Sequence, residues 1–186
     1  PFGWNELEGI HNRTDYDLAR HAEFSGKDLT YLDDGKGERY IPYIIETSAG
    51  LTRTVLMLLA DAYEEETVAE GDVRTVLRLH PDIAPVTVGV FPLVKKDGLA
   101  ELAQKIEREL REDLSTFYDQ GGAIGRRYRR QDEIGTPYCV TIDYQTKDDS
   151  TVTLRFRDSM EQIRIPIDEI APRIRKETKA YRRVET

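Results

Sequence analysis

A single cysteine, Cys139, leaves no intramolecular disulfide possible and excludes a cysteine-rich zinc site, so a reducing compartment, the cytoplasm, is the expected setting. Basic residues are outnumbered, 27 against 35 acidic, and the net charge of −8 argues against indiscriminate adhesion to nucleic acid while leaving local basic patches open. Long apolar runs are absent: nothing approaches the roughly 18 consecutive apolar residues that a membrane helix needs. An integral membrane protein is therefore not expected. Histidine is scarce as well. The pairs His11 with Asp15 and Asp17 with His21 have helical spacing, but no third spacing joins them, and no metal site is read there. The first residues, Pro1-Phe2-Gly3-Trp4, carry neither an initiator methionine nor a basic stretch followed by an apolar one, so no signal peptide is expected and the chain reads as cut from something longer. What is present, 33% charged, 39% hydrophobic and 9% aromatic residues, is the composition of a chain that folds.

Residues 1–50 hold short extended runs, among them Tyr40 to Ile45, separated by turn-rich stretches such as Asp33-Asp34-Gly35-Lys36-Gly37, a pattern of antiparallel strands. At Leu51 the period changes. Leu51, Val55, Leu58, Leu59 and Ala62 predict a helix with one buried face, ending near Glu64. The acidic stretch from Glu64 to Gly71-Asp72 suggests a boundary, dividing the chain into domains 1–72 and 73–186. Beyond it, Val86 to Val94 reads as a strand and Leu99, Leu102, Ala103, Ile106 and Leu110 as one face of a helix. Cys139 to Tyr144, Thr151 to Arg157 and Gln162 to Ile167 read as strands, the last two strictly alternating, and a closing helix is expected from Asp168 as its cap, with Pro172 in its first turn. The second domain is therefore expected to be α/β with a mixed sheet. Cys139 is expected to be buried filler.

Three segments carry chemistry. The small-residue turn Ser48-Ala49-Gly50 feeds a helix bearing Arg53, where free backbone amides and a guanidinium could meet a nucleotide; it reads equally as a plain turn before a helix. Glu6 and Glu8 alternate as the solvated side of a short strand would, and Trp4 and Leu7 read as core. Arg126-Arg127-Tyr128-Arg129-Arg130 offers guanidinium forks for phosphates and an aromatic face for a base. Its other reading is ion pairing with Asp132 and Glu133, ordering a loop shaped by Pro137 and the neighbouring glycines. A second basic cluster, Arg173, Arg175, Lys176, Lys179, Arg182 and Arg183, closes the chain.

Gly3 to Ile10 (GWNELEGI) with Asn12 to Leu18 (NRTDYDL), Glu46 to Arg53 (ETSAGLTR) and Ile124 to Tyr138 (IGRRYRRQDEIGTPY) together resemble the bacterial-type glycyl-tRNA synthetase family, a class II aminoacyl-tRNA synthetase, in that family's order and approximate spacing. The resemblance covers nearly the whole chain. It implies a carboxy-terminal slice: the end of the antiparallel-sheet catalytic domain with motif 3, then an α/β anticodon-binding domain. Thr52 stands where motif 3 usually carries an acid, and Thr47 where proline is frequent.

By resemblance, Glu6, Leu7, Gly50, Leu51, Thr52 and Arg53 contact ATP, with Arg53 as the catalytic motif 3 arginine, and Glu46, Thr47, Ser48, Ala49 and Gly50 surround glycine. Arg126, Arg127, Tyr128, Arg129 and Arg130 fall in the anticodon-binding part and are the candidates for RNA contact. The parent would be a homodimer that activates glycine with ATP and magnesium to glycyl adenylate and transfers it to tRNA-Gly. Motifs 1 and 2 are missing from these residues, so the isolated chain is expected to be inactive. The alternative is a noncatalytic, synthetase-like RNA-binding or accessory module.

Overall fold

The computed structural model describes residues 3–182, and the chain divides into two units between Met57 and Leu58. In the first, β1 (Glu8–Asn12) is followed by α1 (Tyr16–Ser25), the short strands β2 (Tyr31–Asp33) and β3 (Glu38–Tyr40), β4 (Ile45–Ala49) and the start of α2 (Leu51–Ala62). β1 and β4 pair antiparallel, as do β2 and β3, which the Asp33 to Gly37 turn connects with the Asp33 carboxylate accepting the Gly35 N–H at 3.0 Å. Tyr40 to Ile45 is not one strand: β3 ends at Tyr40 and β4 starts at Ile45, and the intervening Pro42 has no N–H to give a ladder.

None of the described residues of this unit is buried. Ile10 is 70% exposed and Phe24 84%. Helix α2 forms where the spacing predicts, but its apolar stripe is uncovered: Leu51 is 79% exposed, Val55, Met57 and Leu59 are exposed too, and Ala62 alone is buried. A two-stranded ladder with neither face covered is marginal in water, and this much apolar surface is the kind that another surface covers.

The second unit begins with a hairpin, β5 (Tyr63–Ala69) against β6 (Asp72–Leu77). Gly71-Asp72, where the sequence suggests a domain boundary, belongs to the turn and start of this hairpin, whose strands pair from Tyr63–Leu77 to Ala69–Asp72. There follow β7 (Val88–Pro92), α3 (Leu99–Leu110), β8 (Thr116–Tyr118), α4 (Ile124–Ile134), β9 (Tyr138–Ile142), α5 (Tyr144–Asp149), β10 (Thr151–Phe156), β11 (Gln162–Pro166) and α6 (Ile170–Ala180). The five-stranded sheet has the order β11-β10-β9-β7-β8, with β7 parallel to β8 and β9 and the rest antiparallel, so the expected α/β fold with a mixed sheet is what forms. Asp168 does not cap α6. It lies in a 3-10 turn, Ile167–Glu169, that follows Pro166, and Pro172 sits in the first turn of α6, where a missing N–H forfeits no helical bond.

Strand alternation gives this sheet two chemically opposite faces. Val88, Val90, Val140, Ile142, Val152 and Leu154 form one, packed with Leu99, Ala103 and Ile106 of α3 and Ile170 and Ile174 of α6 into the apolar core. Gly89, Phe91, Cys139, Thr141, Arg155 and Arg157 form the other, and α4 supplies Arg127, Gln131 and Asp132 among its buried polar side chains. Gly89 admits this helix: a Cβ there would lie 3.3 Å from Gln131 Cγ and 2.6 Å from the Phe91 ring. Gly135 ends α4 at φ 83°, and a Cβ would approach Leu79 Cδ1 to 2.9 Å, so both conformation and space require glycine.

Candidate functional site

The Arg126 to Arg130 segment is helical, not a loop: Gly125 lies in the first turn of α4, and Gly135 caps the helix. The helical period then sorts the arginines. Arg126, Arg129 and Arg130, at three- and four-residue steps, lie on one side and retain exposure. Arg127 is 3% exposed; its Nη1 donates to the Pro92 carbonyl at 2.6 Å and its Nη2 to the Leu93 carbonyl at 3.3 Å, tying α4 to the end of β7. Burial pulls its guanidinium below the ordinary arginine range, with Asp119 opposing. Tyr128 also turns inward: its hydroxyl lies 2.6 Å from Thr141 Oγ1, and the Arg155 guanidinium sits 4.9 Å from its ring centre. Arg127 and the Tyr128 face therefore leave the set of candidates for RNA contact.

Pairing of the outward arginines is real, but not with the neighbours in sequence. Arg129 Nη2 lies 2.6 Å from Asp72 Oδ2, and Arg130 binds the Asp119 carboxylate and the Gly121 carbonyl. Asp132 is fully buried, held by Arg155 Nη1 and Nη2 at 2.8 and 3.0 Å. In the closing cluster, Arg173 pairs with Glu177 and Arg175 with Asp113; Arg183 lies outside the described residues.

In the first unit, β1 and β4 bring the two segments carrying Glu6 to Glu8 and Glu46 to Arg53 together. Gly9 faces Ser48, and His11 faces Glu46, on one side of the ladder; Glu8 faces Ala49, and Ile10 faces Thr47, on the other. Glu46 and Ser48 thus share a face, while the side chains of Thr47, Ala49 and Glu8 project oppositely. Glu46 is also engaged, its Oε2 lying 3.1 Å from Arg13 Nη1, and Arg13 in turn binds Asp17, one of the acids of the rejected metal pairs. Arg53, in the first turn of α2, donates to the Glu6 carbonyl, and Asn5, Thr52, Arg53 and Leu56 line an open cavity of about 440 Å³. Thr52, the departure from the family pattern, is therefore in the wall beside Arg53.

Residues 87–177 match the family model described as "Anticodon binding domain". The chain is 66% identical over 188 aligned residues to a glycine–tRNA ligase of Treponema denticola, covering 98% of this chain and 42% of that protein. It is 58% identical to one of Borrelia hermsii (99% and 42%) and 61% identical to one of Caldanaerobacter subterraneus (91% and 36%). This chain belongs to the glycine–tRNA ligase family. It spans about two fifths of the length of the curated relatives it matches.

No local sequence pattern announces that the second unit has a charged layer inside it. Arg74, Arg78, Arg155 and Arg157, all nearly inaccessible, meet Glu64, Glu66, Asp132 and Asp158. Arg74 Nε lies 2.6 Å from Glu66 Oε1, and Arg74 Nη1 donates to the Arg157 carbonyl at 2.9 Å; Arg157 Nη1 donates to the Gly135 carbonyl at 2.8 Å. Burial lowers the Arg74 guanidinium, whereas at Arg155 burial is outweighed by the bonds and charge of Asp132, which raise it. Cys139 is buried in this layer and burial pushes its thiol up to about 12, which leaves it without a nucleophilic thiolate at neutral pH. Among the described residues no three His, Cys, Asp or Glu side chains group as metal ligands, and no helix is long and apolar enough to cross a membrane.

Proposed function

We propose that the chain is the carboxy-terminal portion of a cytoplasmic, homodimeric glycine–tRNA ligase, and that its second unit holds the anticodon arm of tRNA-Gly through the outward face of α4. The observation that supports it is the separation of Arg126, Arg129 and Arg130 from the buried side of a helix that lies inside the matched anticodon-binding residues. Arginine forks suit phosphates, and an acidic protein binds a polyanion only where its cations are gathered. Arg126 stands foremost, since no ion pair or hydrogen bond engages its side chain among the described residues.

The first unit supplies part of the site that makes glycyl adenylate. Arg53 and the cavity wall of Asn5, Thr52 and Leu56 would lie against ATP, and the face bearing Glu46 and Ser48 would meet the ammonium of glycine, with Arg13 holding the Glu46 carboxylate in place. No side chain need act as a base. The rate comes from aligning the glycine carboxylate with the α-phosphorus and from neutralising charge on the transition state. Magnesium is assigned no residue, because the described residues bring no set of acids together. The noncatalytic reading has less support, since the chain keeps Glu46 and Ser48 on one face of the ladder and Arg53, at the start of α2, on the Glu6 carbonyl.

Arg126→Ala with Arg130→Ala should lower affinity for tRNA-Gly about tenfold and flatten the slope of log affinity against log salt by about one to two units, with the melting temperature nearly unchanged. Salt-dependent binding and thermal melts on the same two proteins check it. An unchanged slope would remove α4 from the RNA surface.

A further inference from the structure

The arginines on the outward face of α4 are not equally free. Arg129 is held by Asp72, the first residue of β6, at 2.6 Å, and Arg130 by Asp119, just past β8, together with the Gly121 carbonyl at 2.7 Å. Asp119 is itself fixed, accepting the Gly121 N–H at 2.7 Å. Neither acid is on α4, so the start of β6 and the loop after β8 each place a carboxylate against one of two neighbouring guanidinium groups. In both pairs Nη2 is the nitrogen engaged, while Arg129 Nη1 is buried with no hydrogen-bond partner among the described residues.

We propose that Asp72 and Asp119 are specificity residues: internal anions that occupy Arg129 and Arg130 until an RNA with further matching contacts displaces them. This rests on the reading of α4 as an RNA surface. A carboxylate takes the same N–H groups, in nearly the same geometry, as a phosphate would. A polyanion that meets a paired arginine exchanges one anion for another and gains little, whereas one that meets an unpaired arginine gains the whole contact and releases its own counterions. The Asp72–Arg129 pair is exposed at 54% and 33% and therefore weak, and in the other pair Arg130 is 45% exposed although Asp119 is 17%, so a correctly shaped RNA can reach both guanidinium groups and displace the acids. Discrimination of this kind is built by penalising the wrong partner, not only by favouring the right one.

The test uses the 186-residue chain and its Asp72→Asn, Asp119→Asn double variant. Asparagine keeps an acceptor oxygen for the Gly121 N–H and removes only the charge. Binding of a uridine homopolymer and of tRNA-Gly is measured across a salt series. The expected result is a rise of about tenfold in affinity for the homopolymer, a salt slope steeper by about one, a smaller gain for tRNA-Gly and so a loss of selectivity. Affinity for the homopolymer that stays level or falls, in a wild-type chain that binds tRNA-Gly, would overturn the proposal and make the two acids anchors for the arginines. Binding of neither RNA by either protein would bring down the RNA reading of α4, and this proposal with it. Should the double variant unfold, Asp72→Asn alone, at the more exposed pair, gives the same comparison with about half the effect on slope.

Discussion

On the proposed function, replacing Arg53 by alanine in the full-length protein is expected to slow glycine-dependent ATP–pyrophosphate exchange about a hundredfold, since losing one preorganised charge contact to a transition state commonly costs about 3 kcal/mol. The side chain comes from the first turn of α2, reaches across to the Glu6 carbonyl and forms part of the cavity wall with Asn5, Thr52 and Leu56. Two roles are therefore open to it, contact with ATP and a bracket between α2 and the Glu6 segment, and they separate experimentally. A catalytic contact lowers kcat in a protein that melts normally, and Arg53→Lys restores part of the rate by returning the charge without the fork. A bracket lowers the melting temperature and leaves exchange near the wild-type rate, a result that would remove Arg53 from the adenylation site.

The second large effect is on stability. Asp132→Ala should destabilise the second unit by about 3–5 kcal/mol, the usual consequence of removing one partner from a buried ion pair. Asp132 is fully buried between Arg155, which it binds with both oxygens, and Arg74, whose Nη1 lies 3.4 Å from its Oδ2. Its loss leaves two guanidinium groups facing each other in a layer that water does not reach. A thermal melt of the 186-residue chain should show a drop of about 10 °C or more. A loss within about 1 kcal/mol, typical of an exposed pair, would mean that water enters this layer and compensates the arginines.

That layer also marks where the sequence stopped being legible. The apolar face of the sheet was readable because Val152, Leu154 and Phe156, or Leu99, Ala103 and Ile106, follow a period and hydrophobicity that only a core demands. Arg155, on the same strand, and Arg157, just past its end, continue the alternate positions, where polar residues usually face water; nothing local says that α4 and the β5–β6 hairpin cover them. The pairing partners of the arginines were hidden for the same reason. Asp132 and Glu133 are near in sequence, but Asp132 is buried and taken by Arg155, and the acids that do meet Arg129 and Arg130, Asp72 and Asp119, are 57 and 11 residues distant. In the first unit, motif resemblance located Glu46 to Arg53, yet only strand pairing shows that Glu46 and Ser48 share a face that Thr47 and Ala49 do not. The stripe of α2 reads as buried because its pattern is that of a covered helix, yet Leu51, Val55, Met57 and Leu59 are exposed.

The central claim, that the second unit is an anticodon-reading module of a glycine–tRNA ligase, is tested most directly by titrating the 186-residue chain with tRNA-Gly and with the same tRNA carrying a replaced anticodon, at fixed salt. The account predicts that the native anticodon binds at least about tenfold more tightly, a mismatched base typically costing about 1–3 kcal/mol in nucleic-acid recognition. Equal affinity for the two transcripts would contradict it.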